Sequence, residues 1–221
     1  MNAKTFFVTA FLTALSISLS AQNIYRVGFT FGSNYSTLRS DLFPTSSGRV
    51  SLAGGCSMLI GFGDRFELNP EILFVQKGAS AQVAYFLPEE KAELLSYKYY
   101  YNTFEVGLLA GFKPVPKVPF RLQAGAYFGT LFNNLDDSNR ELYVGDYEDI
   151  VNAMSAVDLN EAVAGIDYGP VFGLSAGEDR FRANIRYYLG ARNLYDNLYA
   201  PKTGHNIRSG SLRLTLTYFL K

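Results

Sequence analysis

The feature that most constrains this chain is the rhythm of its connections. Eight segments alternate apolar and polar residues with a two-residue period, at about 24–32, 50–62, 65–78, 97–112, 120–132, 162–176, 180–192 and 209–221. A strand sends successive side chains to opposite faces, so each segment reads as a strand with one apolar and one polar face. The connections after the second, fourth and sixth segments are short: Gly63-Asp64, Lys113 to Pro119, and Gly177-Glu-Asp179. Those after the first, third, fifth and seventh are long: Ser33 to Arg49, Ala79 to Ser96, Asn133 to Glu161, and Asn193 to Asn206. Regular short–long alternation suits a transmembrane barrel with tight periplasmic turns and extended outer loops, whereas a soluble sandwich has no reason to keep it. The expected fold is all-β: an eight-stranded antiparallel transmembrane β-barrel with short periplasmic turns, long extracellular loops and both termini on the periplasmic side.

The faces carry the same message. In the closing segment Leu212, Leu214, Leu216, Tyr218 and Leu220 fall on one side, while Arg213, Thr215 and Thr217 fall on the other with Phe219 as the one apolar intruder. In the seventh, Phe181, Ala183, Ile185, Tyr187 and Leu189 oppose Arg182, Asn184, Arg186, Tyr188, Gly190 and Arg192. With the apolar faces outward, the interior collects the bases Arg26, Lys77, Arg121, Arg182, Arg186, Arg192 and Arg213 and the acids Glu67, Glu71, Glu105 and Asp167. An eight-stranded barrel is only wide enough for side chains to fill it. These charges are therefore expected to pair with one another and with Tyr127 and Tyr188, because an unpaired buried charge is costly. Two readings stand: a structural polar plug, and an anion site near the three arginines of the seventh segment. A soluble lipocalin-like barrel needs the reverse arrangement, apolar inside, which these charges fit poorly.

Composition narrows the function classes. Charged residues make up 18% of the chain and aromatic residues 15%, against a typical charged share of about 25%. The formal net charge is zero, which disfavours a nucleic-acid partner. One cysteine, Cys56, and one histidine, His205, leave no disulfide framework and no cysteine or multi-histidine metal cluster. No cofactor is expected. Cys56 projects toward lipid as a small apolar filler. The acidic connection Asn133 to Glu161 has no EF-hand spacing, so it reads as a solvated surface rather than a calcium site. His205, followed by Ser209 and Ser211, lies at the outer rim, where a lipid-modifying enzyme would place its nucleophile and base. A lone rim histidine is ordinarily just solvated, and no catalytic residue is assigned.

The N-terminus reads as a sorting signal. Lys4 precedes an apolar run from Phe6 to Leu19, which ends in the small residues of Ser18-Leu-Ser-Ala21. The run is short of the roughly 20 residues a spanning helix needs, and no cysteine follows it to carry a lipid. The expected division is a cleaved secretory signal at residues 1–21 and an outer-membrane barrel domain at 22–221. Two long connections also show helical spacing: Pro88 to Leu95, with proline and acids in its first turn, and Asp146 to Val157, with Ile150, Val151, Met154 and Val157 along one side.

Several stretches taken together carry a family likeness. They are Tyr25-Arg-Val-Gly28, Leu68-Asn-Pro-Glu-Ile-Leu-Phe-Val-Gln-Lys-Gly78, Phe104-Glu-Val-Gly-Leu-Leu-Ala-Gly111, Ile166-Asp-Tyr-Gly-Pro-Val-Phe-Gly173 and Arg186-Tyr-Tyr-Leu-Gly-Ala-Arg-Asn-Leu194. In order and spacing the chain resembles the PorT-like outer-membrane β-barrel proteins of Gram-negative bacteria, from about Tyr25 to Lys221. The resemblance implies an outer-membrane location and no established catalytic residues. Some members are similar to factors needed for protein secretion and surface gliding. The expected role is therefore structural or interactive, in envelope integrity, surface contact or a secretion apparatus. The expected partners are outer-membrane lipid and envelope or secretion-system proteins. A rim-site lipid-modifying enzyme and a narrow pore stand as alternatives.

Overall fold

The computed structural model describes residues 24–39, 46–86, 92–133, 143–144, 154–155, 165–177, 180–194 and 208–220. The strands are β1 (Ile24–Arg39), β2 (Ser46–Phe62), β3 (Phe66–Phe86), β4 (Ala92–Phe112), β5 (Phe120–Asn133), β6 (Tyr143–Val144), β7 (Met154–Ser155), β8 (Ile166–Ala176), β9 (Phe181–Leu189) and β10 (Arg208–Phe219). Eight of them close into one barrel in the order β1-β10-β9-β8-β5-β4-β3-β2, and β6 and β7 form a separate pair within the β5–β8 connection. Every pairing is antiparallel. The first and last strands seal the barrel from Gly28↔Phe219 to Arg39↔Arg208. Closure leaves no sheet edge with unpaired backbone groups, which is the condition for a sheet to cross a bilayer.

The wall sorts side chains as the two-residue period requires. Val27, Phe29 and Phe31 on β1, Leu52 on β2, Ile72 on β3, Val106 and Leu108 on β4, and Leu214 and Leu216 on β10 all stand exposed on the outside. A contiguous apolar belt of this kind is stable against hydrocarbon and unstable against water. Aromatic rings gather at its two ends. Near the short turns Phe181 packs on Tyr218 and Phe66 on Phe112, each at 5.2 Å between ring centroids. At the other end Phe104 meets Phe74 at 5.3 Å and Phe132 at 5.4 Å. Aromatic side chains at both ends of the band, alongside others within it such as Phe29 and Phe128, suit the interfaces of a bilayer. Cys56 is exposed on this outer face.

The strands outrun the segments read from sequence. Ser33–Arg39 and Ser46–Arg49 belong to β1 and β2, and Ala79–Phe86 pairs with Ala92–Tyr99 up to Phe86↔Ala92. Crossing a bilayer takes about 9–11 residues per strand. At 21 residues each, β3 and β4 therefore rise well beyond the belt on the long-loop side. The helix expected over Pro88 to Leu95 is not what forms: Ala92–Leu95 are strand, and 88–91 lie outside the described residues. Cross-strand pairing with β3 overrides the local helical preference. Likewise Met154–Ser155 pair with Tyr143–Val144 instead of continuing a helix, and the rest of the segment from Asp146 to Val157 lies outside the described residues. So do residues 1–21, His205 and the remainder of the acidic connection.

Candidate functional site

Among the described residues, the interior of the barrel is where the chain concentrates charged and polar side chains. Long charged side chains reach across it in three tiers. Nearest the short turns, Glu67 accepts from two guanidiniums, Arg121 Nε at 2.8 Å and Arg182 Nη1 at 2.7 Å. Arg121 also donates to the Gly177 carbonyl at 2.8 Å. In the middle tier Arg186 Nη1 bonds Glu71 Oε2 at 2.5 Å, Arg186 Nε donates to Gln123 at 2.8 Å, and the Tyr188 hydroxyl donates to Glu71 Oε1 at 3.0 Å.

Toward the outer end, Glu105 sits between Lys77 at 2.7 Å and Arg213 at 2.6 Å. Lys77 also bonds Asp167 Oδ2 at 2.9 Å, and the hydroxyls of Tyr127 and Ser209 donate to the same oxygen at 3.0 and 2.7 Å. The Arg213 guanidinium lies 3.6 Å over the Tyr188 ring and donates to Asn34 Oδ1 at 3.2 Å. Arg213, Lys77, Glu105 and Asp167 are all fully enclosed. Charges buried this deeply are tolerated only when paired and hydrogen-bonded, and the tiers meet that condition largely with protein groups.

Glycines make room for these side chains. Glu67 is in register with Gly111, Glu71 with Gly107, and Glu105 with Gly129. A Cβ at Gly107 would meet Glu71 Cγ at 2.9 Å, and one at Gly129 would meet Glu105 Cγ at 3.0 Å. Each glutamate thus leans across the neighbouring strand where that strand has no side chain. Apolar groups fill what remains: Leu109, Tyr127, Val171 and Tyr188 form one buried cluster, and Ala53, Leu73 and Val75 another.

The structure brings Glu67, Glu71, Lys77, Glu105, Arg121, Asp167, Arg182, Arg186 and Arg213 into this network. Arg26 stands at the periplasmic mouth, half-buried and in register with Leu59, lining the same cavity as Glu67. Arg192 lies three residues past the end of β9 at Leu189 and is half-buried; Gly190 N and Ala191 N still bond the Ser209 and Tyr168 carbonyls, in register with β10 and β8. Ser209 and Ser211 are a correction: they are not rim groups, since both are buried. Sequence reasoning missed Asn34 by ending the first strand at Gly32. The two-residue period running on through Asn34-Tyr35-Ser36 was the signal, with Tyr35 still outward. Among the described residues, no group of three or more His, Cys, Asp or Glu is placed to hold a metal ion.

A closed barrel with a lipid-facing belt and a polar, filled interior defines a transmembrane β-barrel protein. A family model for the outer membrane protein beta-barrel domain matches residues 20–196, and the chain belongs to that family. It is an integral protein of the outer membrane. No curated protein matches it. Among solved structures it is similar to Ail, the attachment invasion locus protein of Yersinia pestis, at 11% identity and a TM-score of 0.44, over 89% of this chain and 99% of that one. It is also similar to Neisserial surface protein A at 13% identity and 0.42, over 89% and 97%. A third is OprG from Pseudomonas aeruginosa, at 11% and 0.41, over 90% and 95%.

Proposed function

We propose that this protein is a sealed, non-catalytic barrel of the PorT-like kind, which serves the envelope as a structural or interaction component, including as a subunit of a secretion apparatus. The observation that supports this reading is the lumen. Three tiers of ion pairs occupy the path that a solute would take, so the working surface is the outside. Ser209, the hydroxyl nearest to a rim nucleophile, is committed to Asp167 within the lumen, which weighs against a lipid-modifying site. The paired charges act as a structural plug that holds the wall in one register. The mature form begins after Ala21, with the signal at 1–21 removed and the barrel at 22–221. The working contacts are with outer-membrane lipid and with envelope or secretion-system proteins, through the tall β3–β4 hairpin and the outer loops. The test is affinity purification of the full chain from native outer membranes. Co-purification with secretion components at fixed stoichiometry supports the apparatus role, and recovery of the barrel alone after mild crosslinking refutes it.

A further inference from the structure

We infer that the periplasmic mouth of the barrel is a binding site for an oxyanion of about the size of inorganic phosphate. A cavity of about 290 Å³ opens there, under the β2–β3 turn and the β4–β5 connection. Arg26, Arg65, Lys113, Arg121 and Arg182 line it, against the carboxylates of Asp64 and Glu67. Both oxygens of Glu67 are already taken, one by Arg121 and one by Arg182. One carboxylate shared by two guanidiniums leaves the cavity floor positive. Arg182 is 4% exposed, and its Nε–H has no acceptor among the described residues. Of the buried polar atoms left without a hydrogen-bond partner among the described residues, only this one belongs to a residue that lines the cavity, where an acceptor can be supplied from outside.

The rim is set to complete the shell. Lys113 N donates to the Arg65 carbonyl at 2.7 Å. That bond ties the two turns together and places both basic residues on one side of the opening. Guanidinium groups bind phosphate and carboxylate through paired, charge-assisted bonds. The site is a blind end and not a conduit. The Arg182 guanidinium lies 5.3 Å over the Phe219 ring, and the Arg186–Glu71 pair fills the next tier. The oxyanion has two sources within reach of this face: a free periplasmic solute, and the headgroup phosphate of an inner-leaflet phospholipid. The inference goes beyond the envelope role, since neither the outer loops nor a protein partner enters it.

The experiment is calorimetric titration of inorganic phosphate into the full chain in phosphatidylcholine nanodiscs at constant ionic strength. Saturable binding is expected, with affinity lower by about tenfold for each charge-assisted bond lost in Arg65→Gln and Lys113→Gln, while the urea midpoint of unfolding stays in place. Both substitutions lie on the rim, outside the three tiers. Repeating the titration in discs containing phosphatidylglycerol separates the sources. Loss of apparent phosphate affinity assigns the site to lipid phosphate, and unchanged affinity assigns it to a free solute. No saturable heat up to about 10 mM phosphate, a concentration far above a useful affinity, overturns the inference. So does equal affinity in the double substitution.

Discussion

Glu105 is the carboxylate on which the outer tier of the lumen turns, and Glu105→Ala isolates its contribution. The side chain is 2% exposed and bonds Lys77 at 2.7 Å and Arg213 at 2.6 Å, with the Thr103 hydroxyl at 3.0 Å. After its removal Lys77 keeps Asp167, but among the described residues Arg213 keeps only the Asn34 side-chain oxygen and the Tyr188 ring. Removing one partner of a buried pair and leaving the other charge uncompensated costs about 3–5 kcal/mol. The loss is measured by reversible urea unfolding of the barrel in phosphatidylcholine vesicles. The double substitution Glu105→Leu with Arg213→Met removes one charge of each sign and leaves the Lys77–Asp167 pair intact. Replacing a buried pair by apolar groups of similar size is often neutral, so the double variant is expected to be more stable than Glu105→Ala. A single variant within about 1 kcal/mol of the parent, below the range for a broken buried pair, would refute the reasoning. A double variant no better than the single would do the same.

Other perturbations probe different parts of the wall. Gly111→Val drives a Cβ into Glu67 and its carboxylate; overpacking of this kind is expected to lower urea stability by about 1–3 kcal/mol. Leu216→Arg places a charge midway along the exposed face of β10, with an expected loss of about 2–4 kcal/mol in the same vesicle assay. Gly63→Ala puts a side chain at φ 62°, in open space, so only backbone strain acts and the expected loss is about 1–2 kcal/mol. The parent barrel is expected to give no unitary conductance in planar bilayers, because paired side chains occupy the lumen. Steady channel openings would contradict the plugged interior.

Much of the architecture can be read directly from the residues. Strand faces follow from a period of two, and no tertiary information is needed to see that Phe29, Ile72 and Leu216 share an environment that Thr30, Glu71 and Thr217 do not. The alternation of short and long intervals between those faces then points to a barrel in a membrane, although two of the long intervals, 33–49 and 79–96, are mostly strand in the folded chain. Strand ends were harder to read. The segment from Pro88 to Leu95 has good helix formers and no apolar alternation, yet Val83↔Leu95 and Phe86↔Ala92 hold its C-terminal half in a strand. A partner strand supplies hydrogen bonds that local propensity does not know about.

The interior shows the same division more sharply. By itself the sequence determined that arginines, lysine and carboxylates would face one another inside the wall, because each strand has only two faces and lipid excludes charge from the other. Only the tertiary structure decided who pairs with whom. Arg182 and Glu67 stand 115 positions apart, as do Arg186 and Glu71. Their meeting depends on the register of every strand between them and on the closure of β1 against β10. Which glycines lie beneath which glutamates was decided by the registers of β3 with β4 and of β4 with β5. Alternation is a property of a single strand and is written locally, whereas pairing across a barrel is a property of the closed ring and exists only once the ring has formed.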